Sequence, residues 1–429
     1  PPNAPVTSVD TFSVTLYRSF IPPAAGWNAQ TSGVTTALYT VKAVTPAVAW
    51  AGGAGGRVLR TTNAGTNWTS VGGGGIGTAD IYAVDALSST IAFVTTTPAA
   101  SYIFRTTNGG TSWDTVYTQA GGFIDAIKMF DATNGIALGD PVGGKWTIVR
   151  TTNGGTTWTR IATEPTQVGT EAGSNNGLAT VGTTHIWFCS NTTPSRVYRS
   201  TNSGGTWTGV NLPFTASFTA GIWFNNTLNG VVSANGGQAA RTTDGGVTWS
   251  SVTLPSTGAS YSVAGSGNTF FATRGSIVAT SLNQGQTWTQ SYAGGVGTLY
   301  HLSMVAVGSS IAGWTVSATG GIASYYGILT GVGELGSSGI PETFALMQNY
   351  PNPFNPTTTI RYALPKDAFV SLKVYNILGQ EIVTLFNDFQ NVGTFNVTWN
   401  GRNNAGLQVA SGMYLYRIEA KPADGSQPF

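Results

Sequence analysis

The sequence predicts an all-β protein, a seven-bladed β-propeller followed by a small antiparallel β-sandwich. Two observations carry this prediction. A nine-residue phrase closed by tryptophan returns six times, and its tryptophans stand 45, 45, 49, 42 and 39 residues apart. A period of about 40 to 50 residues built on strands and turns is typical of propeller blades. Beyond residue 330 the period stops, and shorter alternating segments follow.

The repeated phrase has the composition of a tight hairpin turn. Its copies read RTTNAGTNW at 60–68, RTTNGGTSW at 105–113, RTTNGGTTW at 150–158, RSTNSGGTW at 199–207, RTTDGGVTW at 241–249 and TSLNQGQTW at 280–288. The side chain of Asn63, Asn153 or Asp244 is able to bond back to the backbone, and glycine supplies positive φ. The closing indole is large enough to pin the turn to the body of the fold. We expect the anchors to be Trp68, Trp113, Trp158, Trp207, Trp249 and Trp288.

A seventh blade is predicted from the two ends of the repeat region. Trp27 precedes Trp68 by 41 residues, the same period again. After Trp288 the chain contains one more set of apolar segments, at 299–307, 310–318 and 320–327, and no further tryptophan phrase follows them. The simplest interpretation is that the strand around Trp27 completes the last blade. Such closure leaves no free sheet edge at the seam.

The repeat resembles the Asp box of bacterial neuraminidase repeats, with Thr151, Asn153, Gly155, Thr157 and Trp158 in the specified places, although most copies carry Asn for Asp. The longer pattern is similar to propellers related to photosystem II assembly factors. The resemblance implies the fold and implies that the box lies on the outer rim, away from any ligand site.

The domains are predicted at 1–24, 25–330, 331–340 and 341–429. The first is an extended segment, the second the propeller and the third a Gly/Ser-rich linker. Alternation and turn signals in the fourth predict the sandwich. Its segments NYPNPFNPTTTI, VYNILGQE, WNGRNNAG and ASGMYLYR resemble the C-terminal sorting domain of proteins exported by the type IX system. That resemblance implies an immunoglobulin-like fold, contact with the type IX machinery during export, and a final location outside the cell or on the surface of an outer-membrane-bearing bacterium.

Composition narrows the classes of function. Charged residues make up 8% of the chain, against about 25% in an ordinary soluble domain, and the net charge is +2. No basic run supports nucleic-acid binding, and no run of about 18 apolar residues supports a membrane span. A single cysteine, Cys189, and two distant histidines, His185 and His301, favour buried or rim positions over a metal site. We therefore expect no metal and no cofactor.

Three functions remain open. The preferred one is a non-enzymatic extracellular structural protein that assembles with copies of itself. The alternating segment 11–18, with Phe12, Val14 and Leu16 on one side, would add to a sheet edge of a neighbouring sandwich, or instead lie on its own chain. The alternative is a cell-surface propeller that binds glycans or proteins, for which the long segment with Glu164, Glu171, Asn175 and Asn176 is the first place to look.

The third function is a sialidase-like glycosidase. That chemistry needs several arginines converging on one substrate carboxylate, together with a paired nucleophile and acid. Here the arginines occupy the same place in successive repeats, at Arg60, Arg105, Arg150, Arg199 and Arg241. Residues repeated once per blade spread around a ring, so we expect them to present a stem to a neighbouring strand and a head to solvent. No catalytic residue is therefore predicted.

Overall fold

A computed structural model of the chain describes residues 25–191, 195–214, 219–256, 258–294, 297–307, 310–328, 344–347, 349, 352, 354, 356–390, 393–410 and 412–422. The predicted fold class is confirmed, because seven four-stranded antiparallel sheets form the blades and two three-stranded sheets follow. The described strands of the propeller run from Gly26 to Ile328 and those of the sandwich from Ala345 to Pro422. The domain boundaries themselves stay predictions.

The strands follow the blades in chain order. The first is β1 (Gly26–Gln30), and the next six blades each use four consecutive strands: β2–β5 at Leu38–Ala43, Ala49–Gly53, Arg57–Thr61 and Thr69–Ser70; β6–β9 at Ile81–Ala86, Ala92–Thr96, Ala100–Thr106 and Asp114–Ala120; β10–β13 at Ile124–Met129, Gly135–Val142, Lys145–Thr151 and Thr159–Arg160; β14–β17 at Leu178–Val181, His185–Cys189, Arg196–Ser200 and Thr208–Asn211; β18–β21 at Thr219–Phe224, Gly230–Ala234, Gln238–Thr242 and Ser250–Thr253; β22–β25 at Val263–Ser266, Thr269–Arg274, Ile277–Ser281 and Thr289–Ala293.

The seventh blade closes the ring as predicted. It contains β26 (Leu299–Val307), β27 (Ser310–Ser317) and β28 (Ile322–Ile328), and β1 is its fourth strand. The pairing is antiparallel and runs from Gly26 opposite Tyr326 to Gln30 opposite Ile322. Both ends of the propeller thus share one sheet, and the Trp27 ring packs against Phe271 and Tyr325.

The core lies between successive blades. The second strand of a blade is covered on both faces by its neighbours, so that β3, β7 and β19 are buried at every position. Such strands read as continuous runs of small and apolar residues, whereas the fourth strands alternate because one face meets solvent. Trp50 of the first blade and Val94 of the second share one such cluster.

The sandwich uses β29 (Ala345–Leu346), β30 (Thr358–Leu364), β31 (Ala368–Asn376), β32 (Glu381–Gln390), β33 (Gly393–Trp399) and β34 (Tyr414–Pro422). One sheet has the order β29-β30-β33 and the other the order β32-β31-β34. The inward side chains of β30 and β31, among them Tyr362, Val370 and Leu372, form its core. Along the described ranges, no helix has the length and apolar character needed to cross a membrane.

Candidate functional site

The repeated phrases form turns held by their own side chains. In the third blade, Asn153 Oδ1 accepts hydrogen bonds from Thr151 Oγ1 at 3.0 Å and from Thr157 N at 3.1 Å. Asn63 makes the equivalent contacts in the first blade. In the fifth blade, burial would raise the pKa of the Asp244 carboxyl, but hydrogen bonds from Thr248, Thr242 and Val247 outweigh it and lower the pKa to about 2. These side chains therefore serve the turn and are not free for chemistry.

The seven predicted tryptophan anchors lie on seven different blades. Each packs in or against the apolar layer between two blades, and four of them are buried: Trp113, Trp158, Trp249 and Trp288. Trp113 Nε1 donates to the Val71 carbonyl of the preceding blade at 3.0 Å. The rings of Trp27, Trp68 and Trp207 are partly exposed. The structure therefore distributes these residues around the ring and brings no two of them into one site.

The repeat arginines act differently from the sequence-based expectation. Arg60 Nη1 donates to the carbonyl of Gly109 in the next blade at 3.0 Å, and Arg150 Nη1 donates to Ser203 at 2.7 Å. Arg241 Nε reaches the equivalent carbonyl of Gln284 at 2.8 Å. We expected the repeat guanidinium groups to face solvent, and for these three arginines that expectation is wrong. Gly109, Ser203 and Gln284 are each the residue of positive φ in the next turn, whose backbone turns the carbonyl toward the neighbour, and Arg60 Nη1 also donates to the Ser89 carbonyl at 2.9 Å.

The segment between the third and fourth blades contains Glu164, Glu171 and Asn175–Asn176, which we named as the first place to look for a ligand or a partner contact. Glu164 pairs with Arg160 at 2.6 Å, and Glu171 pairs with Arg196 at 3.1 Å. Asn176 enters the end of the central channel, where Thr40 Oγ1 donates to its Oδ1 at 3.1 Å and its backbone N–H donates to the Asp125 carbonyl at 2.8 Å. The part of this segment at residues 171–177 therefore covers one side of the channel mouth, and we call it the plug.

The channel mouth carries a feature that repeats from blade to blade. In five blades the innermost strand has a β-bulge near its first residue, so that one extra residue stands at the mouth. A bulge re-aims a side chain away from the regular alternation and is frequent beside functional sites. The residues at the bulges are Tyr39, Tyr82, Asp125, Ala220 and Tyr300.

Five aromatic rings form a continuous arc along this mouth, which we call the aromatic arc: Tyr261, Tyr300, Tyr39, Tyr82 and Phe123. Their successive centroid distances are 5.3, 5.7, 5.4 and 4.6 Å, and all five rings are half-buried. The arc spans the sixth, seventh, first, second and third blades. A row of partly exposed aromatic rings at the end of a propeller channel makes a surface for contact with a planar or apolar ligand face.

One carboxylate stands behind the arc. Asp80 Oδ2 accepts the hydroxyl of Tyr39 at 3.3 Å and that of Tyr82 at 3.5 Å, and Asp80 Oδ1 accepts the Gly55 N–H at 2.9 Å. Burial and the Asp80 charge raise the pKa of Tyr39 to about 12, and the same causes raise the pKa of Tyr82. Both hydroxyls therefore remain protonated donors at any physiological pH, and the arc offers neutral rings beside a single negative charge.

Sequence reasoning missed this arc. A usable signal exists, because an apolar residue followed by tyrosine opens three innermost strands, at Leu38–Tyr39, Ile81–Tyr82 and Leu299–Tyr300. These pairs lie outside the tryptophan phrase, at the opposite end of each repeat. The bulge turns the second residue of each pair toward the mouth, and no particular residue type in the sequence marks it.

Two carboxyl groups lie under the plug. Burial, and then the neighbouring Asp140, raise the pKa of Asp125, and burial raises the pKa of Asp140. Gly173 N donates to Asp140 Oδ1 at 2.6 Å, while a Cβ at Gly173 would meet Asp125 Oδ2 at 2.1 Å. The segment thus passes between the two carboxyls at a position that only glycine fits.

The contacts of Cys189, His185 and His301 indicate structural roles for these three side chains. Burial raises the pKa of the Cys189 thiol to about 12, so the thiol is not a nucleophile at neutral pH. His185 stacks on Trp187 with ring centroids 5.8 Å apart, and His301 Nδ1 accepts the Val41 N–H at 3.0 Å. Among the described residues, no three His, Cys, Asp or Glu side chains gather as metal ligands would. The predicted assembly residues Phe12, Val14 and Leu16 lie outside the described residues.

Comparison with known proteins supports the two parts of the fold. Residues 354–424 match the family model of the FlgD Ig-like domain. The propeller is similar to solved structures titled YCF48 bound to D1 peptide (TM-score 0.56, 16% identity, covering 71% of this chain and 97% of that one) and YCF48 from Cyanidioschyzon merolae (0.52, 16%, 70% and 98%). It is also similar to U3-55K (0.55, 10%, 71% and 99%). No curated protein sequence matches the chain. At these identities the likeness concerns the fold alone.

Proposed function

We propose that the chain is a non-enzymatic binding protein of the cell surface or extracellular space, whose propeller holds a glycan on the aromatic arc. The observation that carries the proposal is the row of five half-exposed rings at the channel mouth. A sugar ring has a C–H face that stacks on an aromatic ring and hydroxyls that hydrogen-bond at its edge. The exposed parts of the Tyr39 and Tyr82 rings supply the apolar contact, and Asp80 supplies a hydroxyl acceptor beside them.

The likeness to YCF48 is compatible with recognition, since one of those structures is titled as bound to a peptide. We propose a glycan because the Asp80 carboxylate lies beside the Tyr39 and Tyr82 rings, so that a hydroxyl acceptor accompanies an aromatic surface. We propose no glycosidase activity, because the repeat arginines Arg60, Arg150 and Arg241 are engaged by carbonyls on three different interfaces. The Asp-box resemblance of the repeats accords with this architectural role.

A glycan array followed by calorimetric titration of the best hit tests the proposal. Tyr82→Ala should weaken binding about fivefold, since one aromatic stacking contact is worth about 1 kcal/mol. Tyr375→Ala, on the sandwich, is the matched control and should bind as the wild type does. A blank array, or equal binding by Tyr82→Ala, would remove the glycan assignment.

A second function, self-assembly, is favoured by the sandwich. Strand β34 lies at the edge of the sheet β32-β31-β34, with nine residues paired on one side to β31. The exposed face of this sheet carries Phe369, Phe389 and Leu415, which are 46%, 48% and 56% exposed. An unpaired edge is a template for another strand, and the alternating segment 11–18 of a second copy has a suitable pattern and length. Such head-to-tail contacts build a filament.

Deleting residues 1–20 tests self-assembly, because that truncation leaves β1 intact. Light scattering and negative-stain microscopy should show particles or rods for the full chain and monomers for the truncated one. If particle size is the same in both, the strand-addition idea fails while the glycan proposal stands.

Export through the type IX system is supported by the sorting-domain motifs and by the match to an Ig-like family model. In a bacterium that has this system, removing residues 341–429 should leave the propeller in the periplasm. Detection of the truncated protein outside the cell would contradict the proposed route.

A further inference from the structure

The central channel encloses a cavity of about 110 Å³ below the aromatic arc. Its wall comes from the innermost strands of the seven blades and is mixed in polarity, with the apolar residues Val41, Ile127 and Leu302 among those that line it. Three charged side chains interrupt this wall. Lys42, Asp85 and Lys128 stand on the first, second and third blades, each three residues beyond a bulge residue and therefore at one level of the channel.

The charges at this level do not balance. Lys42 Nζ lies 2.5 Å from Asp85 Oδ1, and Asp85 Oδ2 accepts the Met129 N–H at 2.6 Å. The one carboxylate is thus engaged by Lys42 and by backbone. The Lys128 amine neighbours Lys42, and that charge, followed by burial, lowers the pKa of Lys128 to about 8. At neutral pH the cavity therefore holds two ammonium groups against a single carboxylate.

A third donor lines the same cavity. Burial lowers the pKa of His301 to about 3, so the ring is neutral. Its Nδ1 accepts the Val41 N–H, which leaves the ring proton on Nε2. His301 is among the residues that line the cavity. The cavity is thus lined by hydrogen-bond donors, with two lysines against one carboxylate, and by apolar side chains beside them.

We propose that this cavity binds a small anion, of the size of a halide or a short carboxylate, between the Lys42 and Lys128 ammonium groups with His301 as a further donor. The volume suits such a ligand, since about 10 to 15 Å³ holds one water and a small anion therefore fits together with several waters. This site is independent of the arc, because Asn176 lies in the channel at the level of Thr40, between the two.

Crystals of the full chain grown in sodium bromide test the site directly. We expect an anomalous bromide peak within hydrogen-bond distance of both Lys42 Nζ and Lys128 Nζ. Bromide confined to the protein surface would overturn the proposal. The measurement needs no variant and does not depend on glycan binding, so its failure is distinct from failure of the arc.

Thermal unfolding in solution gives a second test. At constant ionic strength, replacing gluconate with chloride or acetate should raise the Tm of the wild type by about 2 °C with saturation, because a ligand of the folded state stabilises it. Chloride and acetate in separate series distinguish a halide from a carboxylate site. Lys128→Met should lose the rise, and Lys145→Met, an exposed lysine of β12, should keep it. A rise that persists in Lys128→Met, or no rise in the wild type, would contradict the proposal.

Discussion

At the scale of single residues, neighbouring blades are joined through one backbone carbonyl in five of the six repeat turns. The turn residue of positive φ presents its carbonyl to the preceding blade, and different side chains find it there: Gln30 reaches Ala64, Arg60 reaches Gly109, Arg150 reaches Ser203, Trp187 reaches Gly245 and Arg241 reaches Gln284. The backbone geometry of the turn is constant, while the side chain that donates to it changes. The carbonyl acceptor therefore recurs from repeat to repeat more regularly than the donor does.

Gln30 has the largest role among these donors because it acts at the seam. Its Nε2 donates to the Ala64 carbonyl at 2.8 Å, and its Oε1 accepts the indole N–H of Trp68 and of Trp314, both at 3.1 Å. We expect Gln30→Ala to lower the free energy of unfolding by about 2 kcal/mol, since it leaves indole donors without partners. Urea denaturation measures the change. Gln290→Ala, on an exposed outer strand, is the control, and an equal effect of both variants would refute this role.

At the scale of elements, the plug between the third and fourth blades is fixed by the fit of Gly173 between two carboxyls. We expect Gly173→Ala to displace residues 171–177, because its Cβ would meet Asp125 Oδ2 at 2.1 Å and the displacement breaks the bond to Asp140. Hydrogen exchange should rise in this segment and little elsewhere. Gly73→Ala is the matched control, since nothing lies within 4 Å of a Cβ there. Unchanged exchange at 171–177 in Gly173→Ala would show that the contact is not restrictive.

The blades and the sandwich follow from the sequence because their signals are local. Each turn contains its own asparagine or aspartate, glycine and tryptophan, and each inner strand contains its own run of apolar residues. The aromatic arc and the plug do not follow, because they depend on contacts between residues far apart in the chain. Asn176 meets Thr40 across 136 positions, and Tyr39 meets Tyr300 across the seam. The ion-pair partners of Glu164 and Glu171 also become visible only in the folded structure.

At the scale of the whole molecule, closure depends on β1. We expect a chain that begins at residue 32 to lose about 10 °C in Tm relative to one that begins at residue 25, since it lacks the β1 ladder and the packing of Trp27 on Phe271, Tyr292 and Tyr325. Differential scanning calorimetry of the two truncations makes the comparison. Equal melting temperatures would mean that the ring closes without β1, the fourth strand of the seventh blade.

The antiparallel seam also has a mechanical meaning. Gly26 opposes Tyr326, so the polypeptide leaves toward both termini from the same end of the last sheet. A load applied between the amino-terminal segment and the sandwich would separate β1 from β28 one rung at a time, and would not shear all the rungs together. If copies are linked through these two regions, tension along the assembly would peel this strand first, while the other six blades keep their shape.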